Sequence, residues 1–82
     1  MSEEAVFNVL IATLDRVIFE GTAKSLILPG ERGVFEVLPY HKKLISRLAP
    51  GPMILDGNTF QIHSGVVKVG SNEVTVVIEE TR

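Results

Sequence analysis

The sequence predicts an all-β domain, a small two-sheet β-sandwich or flattened barrel of about eight to ten short strands. Three observations predict it. Short runs rich in Val, Ile, Leu and Phe recur along the 82 residues, several with the period-two alternation of strands. Turn signals punctuate them, at Gly21, Gly30-Glu31-Arg32-Gly33, Asp56-Gly57, Ser64-Gly65 and Gly70-Ser71-Asn72. No segment combines the spacing and the length of a stable helix.

Residues 7–14 read as the first strand, with Phe7, Val9 and Ile11 on one face and Leu10 and Ala12 on the other. Apolar residues on both faces predict an inner position. Asp15-Arg16 is a polar break, and Val17-Ile18-Phe19-Glu20 is a second strand ended by Gly21. Residues 22–29 form a third, in which Ala23, Ser25 and Ile27 alternate against Lys24, Leu26 and Leu28. Gly30 and Gly33 then bracket a turn, because glycine supplies the positive φ that tight reversals use. Residues 34–38 are a fourth strand, closed by Pro39, which cannot donate to a ladder.

Residues 40–49 are ambiguous. Leu44, Ile45 and Leu48 have helical spacing, with Lys42, Lys43 and Arg47 on the polar side. The stretch is short for a helix, so we read an irregular loop with a short strand or single turn over 44–48. Pro50-Gly51-Pro52 is punctuation. Met53-Ile54-Leu55, Asp56-Gly57 and residues 58–63 make a hairpin, since Asp-Gly favours a type I′ turn. Ser64-Gly65 reads as a bend. Residues 66–69 and 73–80 form another hairpin around Gly70-Ser71-Asn72, with Val74, Val76 and Ile78 alternating against Thr75, Val77 and Glu79. Val66-Val67 and Val76-Val77-Ile78 are apolar on both strand faces, which fits a two-sheet core, a face kept apolar for a partner, or both.

Composition excludes several function classes. The length allows one domain with a marginal core. The formal net charge of −2 argues against a general nucleic-acid binder, which needs a basic excess. There is no cysteine, so neither a disulfide nor a thiolate is available. No apolar run reaches the roughly 18 residues of a membrane span, and Met1-Ser2-Glu3-Glu4 is acidic, unlike a signal peptide. A soluble cytoplasmic protein is the default. His41 and His63 have no HxH, HExxH or paired-carboxylate spacing around them. Gly30-Glu31-Arg32-Gly33 lacks the Gly-Lys-Ser/Thr ending and the following helix of a phosphate loop. Catalytic, metal and cofactor residues are therefore expected to be none.

What remains is a docking surface. The turn at 30–33 projects Glu31 and Arg32 from a rigid frame of two β runs. His41-Lys42-Lys43 with Arg47 is a small basic cluster, either a solvated loop or a contact for an acidic patch or lipid head groups.

The order of these signals resembles the N-terminal β-sandwich of the epsilon subunit of F-type ATP synthases, called delta in mitochondria. The residues that carry the resemblance are Phe19-Glu20-Gly21, then Leu28-Pro29-Gly30-x-x-Gly33-x-Phe35-x-Val37-Leu38-Pro39-x-His41-x-x-Leu44-Ile45, then Leu48-x-Pro50-Gly51. Ser64-Gly65-Val66-Val67-x-Val69 and Asn72-x-Val74-Thr75-Val76 follow. The sequence departs from the family pattern at Tyr40, where a glycine is usual, at Lys42-Lys43, which replace Ala-Pro, and at Glu36, where glycine is common.

The resemblance implies a non-catalytic subunit of the central stalk, peripheral on the cytoplasmic face of the membrane and monomeric within the complex. Its partners would be the gamma subunit and the membrane rotor ring, and its role the coupling of ion translocation to ATP synthesis or hydrolysis. By position, Glu31, Arg32, Gly33, Val34 and Phe35 would face the ring, and His41, Lys42 and Leu44 would face gamma. The family's C-terminal helical hairpin, which can inhibit hydrolysis, has no counterpart in these residues, so inhibition and nucleotide binding are not expected of them. The alternative is a free-standing β-sandwich adaptor for a peptide or small ligand. A small enzyme is a third reading, with no nucleophile–base pair legible in the sequence.

Overall fold

The computed structural model describes residues 5–80; the acidic stretch 1–4 and residues 81–82 lie outside the described residues. Eight strands and no helix make up the described chain: β1 (Phe7–Ala12), β2 (Val17–Ala23), β3 (Leu26–Gly30), β4 (Gly33–Val37), β5 (Leu44–Leu48), β6 (Gly51–Leu55), β7 (Asn58–Val69) and β8 (Glu73–Glu80). They pair in two runs that share β7. One is β2-β1-β8-β7-β5, and the other is β4-β3-β6-β7. All pairs are antiparallel except β1 with β8.

The sharing follows from the length of β7, which has 12 residues. Residues 58–62 pair with β6, and residues 65–69 pair with β5. Between them the register against β8 slips: Ile62 faces Glu80 and Ser64 faces Glu79, leaving His63 as an extra residue. A bulge of this kind flips the alternation. Ile62 points into the core before it, and Val67 and Val69 after it. The bend expected at Ser64-Gly65 is thus a phase correction inside one strand.

Every residue of the core is apolar. Phe7, Val9 and Ile11 of β1 and Val74, Val76 and Ile78 of β8 meet Leu26 and Leu28 of β3, Val37 of β4, and Met53 and Leu55 of β6 in a single cluster. Each such side chain contributes about 1.5–3 kcal/mol when fully buried. The expected alternation of β1 and β8 is present.

Several boundaries differ from the sequence reading, each for a local reason. The first strand ends at Ala12, because the Thr13 hydroxyl accepts from the amides of Asp15 and Arg16, both at 3.1 Å. Side-chain capture of this sort competes with the ladder, and Leu14 is left 93% exposed. Gly21 does not end β2; it pairs with Val9, and the strand runs on to Ala23. The break falls at Lys24-Ser25. There, the Asp56 carboxylate accepts from both amides, at 3.0 and 2.9 Å. The alternation therefore restarts at Leu26: Ala23, Leu26 and Leu28 are all buried, although an unbroken alternation puts Ala23 opposite the two leucines. Asp56 itself sits in the turn with Gly57, with φ of 46° and 86°, as a type I′ turn requires. β6 begins at Gly51 instead of Met53, and the ambiguous stretch holds a strand over Leu44–Leu48 because β7 offers it a partner.

Candidate docking surfaces

The β3–β4 hairpin closes with Gly30 opposite Gly33 and Glu31-Arg32 at its tip. The two glycines serve different needs. Gly33 has φ of 132°, a conformation that disfavours any side chain. Gly30 makes room: a Cβ there would lie 3.0 Å from the Phe35 ring and 2.8 Å from the Gly33 carbonyl oxygen. Glu31, Arg32, Gly33 and Val34 are exposed, Val34 to 72%. Phe35 is half-buried and leans on the core. Val34 is the exposed large apolar side chain of this tip.

Residues 38–41 form a turn in which the His41 amide donates to the Leu38 carbonyl at 3.2 Å. Pro39 stands at its second position and Tyr40 at its third, where φ is 64°. This is a type II turn, whose third position favours glycine. His41 is half-buried, with Nδ1 2.8 Å from the Lys42 carbonyl. Lys42 and Lys43 are exposed. Leu44 packs partly against the core, and Ile45 is the exposed apolar residue, at 73%.

The two surfaces adjoin. The Glu31 amide donates to the Arg47 carbonyl at 3.1 Å, and the Ala49 amide donates to the Pro29 carbonyl at 2.7 Å. Gly30 faces Leu48 between them. Glu31, Arg32, Ile45 and Arg47 line one open groove. Sequence placed Arg47 with the basic cluster but not beside Glu31, since nothing local indicates that β3 and β5 meet.

A third feature, legible in the sequence only as the doubly apolar runs at 66–67 and 76–78, is a row across the sheet. On the outer face, Arg47, Val66, Val77, Ala12 and Val17 form one cross-strand row over β5, β7, β8, β1 and β2. Val66, Val77 and Val17 are 46%, 41% and 56% exposed. The next row runs Ile45, Lys68, Thr75, Leu10, Glu20. The face is thus apolar across its middle, with Arg47 and Lys68 toward one side and Glu20 toward the other. Of the doubly apolar runs, Val67, Val76 and Ile78 serve the core while Val66 and Val77 open outward.

The chemistry within reach is slight. The Ser64 hydroxyl donates to Glu79 at 3.2 Å, and His63 Nε2 lies 3.9 Å from the same carboxylate oxygen. The serine is bonded to the acid, not to the imidazole, so the three do not form a serine–histidine–acid relay. Among the described residues, no group of three or more His, Asp and Glu side chains is placed to hold a metal ion. Nor, among the described residues, is any helix long and apolar enough to cross a membrane.

Comparison with known proteins decides the family. Residues 6–82 match the model of the ATP synthase delta/epsilon chain β-sandwich domain. The chain belongs to the ATP synthase delta/epsilon family. It is similar to the ATP synthase epsilon chain of Nitratiruptor sp., at 40% identity over 84% of this chain and 57% of that protein. It resembles the epsilon chain of Bordetella parapertussis at 35% identity, again over 57% of the relative. It thus spans little more than half the length of these two relatives. The epsilon chain of Chlorobaculum tepidum is 33% identical and covered over 96% of both chains.

Solved structures agree on the fold. A chain of the Euglena gracilis mitochondrial ATP synthase superposes with a TM-score of 0.84 at 21% identity, covering 98% of this chain and 54% of that one. A chain from the central stalk and c-ring of the Tetrahymena thermophila mitochondrial ATP synthase gives 0.79 at 12% identity, covering 96% and 67%. The epsilon-type β-sandwich read from the order of motifs is therefore the fold of this chain.

Proposed function

We propose that this β-sandwich is a non-catalytic component of the central stalk of an F-type ATP synthase. It docks on gamma through the segment at His41, Lys42 and Leu44, and on the membrane rotor ring through Glu31, Arg32, Gly33, Val34 and Phe35. Held between the two, it helps transmit ring rotation to the catalytic head, and ion translocation is thereby coupled to ATP synthesis or hydrolysis. It sits peripherally on the cytoplasmic face of the membrane, one copy per complex, and needs no cofactor.

One observation carries this reading. The Glu31 turn and the β5 edge are joined by main-chain hydrogen bonds, Glu31 to Arg47 and Ala49 to Pro29. A load taken up at one surface reaches the other through backbone, without a flexible linker. The surfaces also suit protein partners. Each offers an exposed apolar residue, Val34 or Ile45, among charges, and charge complementarity sets partner choice while the apolar residue supplies desolvated area.

The test is binding of the folded chain to the gamma subunit from the same source, by calorimetry. Saturable one-to-one binding, weakened by His41→Ala and Ile45→Asp, is the expected result. A folded chain that ignores gamma would sink the proposal and favour the free-standing adaptor.

A further inference from the structure

Asn72 lies in the loop between β7 and β8, with φ of 55°. The loop itself asks only for that backbone conformation, which glycine or asparagine supplies. Its side chain does something the loop does not require. Asn72 Oδ1 accepts from the Tyr40 amide at 3.0 Å, 32 positions away in the chain. Asn72 Nδ2 donates to the Val6 carbonyl at 2.7 Å, across 66 positions. Its own carbonyl accepts from the Asn8 amide at 3.0 Å. A single amide orientation serves both side-chain bonds, since only the oxygen can face an N–H and only the NH2 a C=O.

From these contacts we infer that Asn72 is the positioning residue for the segment 38–43, fixing it to the lead-in of β1. The segment needs such a hold. Tyr40, Lys42 and Lys43 are exposed and contribute no buried apolar anchor. Its other turn and side-chain bonds among the described residues, His41 to Leu38 and His41 to Lys42, stay within it. The bond to Tyr40 also falls on the residue with positive φ, so it secures the turn at its least favourable point. The inference rests on the reading that this segment meets gamma, and it adds that Asn72, which need not touch gamma, decides how the segment is presented.

Two variants separate the roles. Asn72→Gly keeps the backbone conformation and removes both side-chain bonds. Asn72→Asp keeps an acceptor for the Tyr40 amide but sets an oxygen, in place of the donor, against the Val6 carbonyl. Amide exchange by NMR reads the clamp, with Val76 in the core of β8 as control; gamma binding reads its consequence. The expected result is Tyr40 exchange at least about tenfold faster in Asn72→Gly with Val76 unchanged, and a smaller acceleration at Tyr40 in Asn72→Asp, which keeps one of the two bonds. Gamma affinity should fall about threefold to tenfold in Asn72→Gly and by less in Asn72→Asp.

Equal Tyr40 exchange in Asn72→Gly and the unaltered chain would overturn the inference. So would faster exchange at Tyr40 and Val76 alike, which is general loosening, or a freed Tyr40 with unchanged gamma affinity. If the unaltered chain does not bind gamma, the docking reading fails by itself, and the Tyr40 exchange still decides whether Asn72 holds the segment.

Discussion

The backbone amide of Glu31 is hydrogen-bonded to the backbone carbonyl of Arg47 at 3.1 Å. The bond ties the tip of the β3–β4 hairpin to β5, 16 positions along the chain. Because it is main chain to main chain, both side chains stay free for other partners, and substitutions there can test docking without removing the tie.

Reversing both tip charges, with Glu31→Lys and Arg32→Glu together, should therefore leave stability nearly unchanged. Exposed substitutions away from structural features stay within about 0.5 kcal/mol. Assembly with the rotor ring should weaken, more so at low salt where the lost complementarity counts most. Co-purification of ring and stalk over a salt series checks this, and native recovery at every salt concentration would remove the tip from the interface.

Tyr40 occupies the glycine position of a type II turn, with φ of 64°. A side chain in that region costs roughly 1–2 kcal/mol. Tyr40→Gly and Tyr40→Ala delete the same exposed ring but differ in that strain. Gly should be the more stable of the two by about 1 kcal/mol, somewhat reduced by its greater freedom when unfolded. In a domain of this size the difference amounts to about 4–8 °C in Tm, which calorimetry resolves.

Gly65 faces Ile78 across the β7–β8 ladder, and a Cβ there would lie 2.6 Å from the Val77 carbonyl oxygen. The obstacle is backbone in the centre of the sheet and cannot rotate away. Gly65→Ala should cost about 2–3 kcal/mol, toward the upper part of the range for overpacking. Gly30→Ala meets partly the Phe35 ring, so combining it with Phe35→Leu should recover part of its loss, while no single side-chain trim should rescue Gly65→Ala. Urea midpoints of the three variants test the contrast.

Asp56 accepts from the amides of Lys24 and Ser25, and its own amide donates to the Ser25 carbonyl at 3.0 Å. Asp56→Ala strands two donors and places alanine at positive φ, for an expected loss of about 2–3 kcal/mol. Asp56→Asn keeps an acceptor and tolerates the same φ, so it should retain most of the stability. Equal losses in the two variants would show that the side-chain oxygen contributes little.

Much of this was legible beforehand. Period-two patterns at Phe7-Val9-Ile11 and at Val74-Val76-Ile78 fixed which faces of β1 and β8 are buried, because alternation is a local consequence of strand geometry. Asp56-Gly57 declared its turn because few residues accept two positive φ angles. The order of motifs identified the family, since the glycines and prolines stand where the backbone of this sandwich turns. Position by position, the same signals pointed to the exposed tip at Glu31-Arg32.

Tertiary structure decided the rest, wherever a residue's role depends on a distant partner. Gly21 reads as a stop, yet the strand continues because Val9 pairs with it; the true stop at Lys24-Ser25 is made by Asp56, 32 positions from Lys24. Ser64-Gly65 reads as the end of a strand, yet pairing with β8 carries the strand on through a bulge at His63. Neither the junction of Glu31 with Arg47 nor the hold of Asn72 on Tyr40 has any local signature, for hydrogen bonds between segments depend on where the sheets bring their ends together. Local pattern sets the class of fold, most of the strands and the tightest turns, because alternation and positive φ are properties of a few adjacent residues; where a strand truly stops and which turns touch follow from the packed sheets, and with them which residues form one surface.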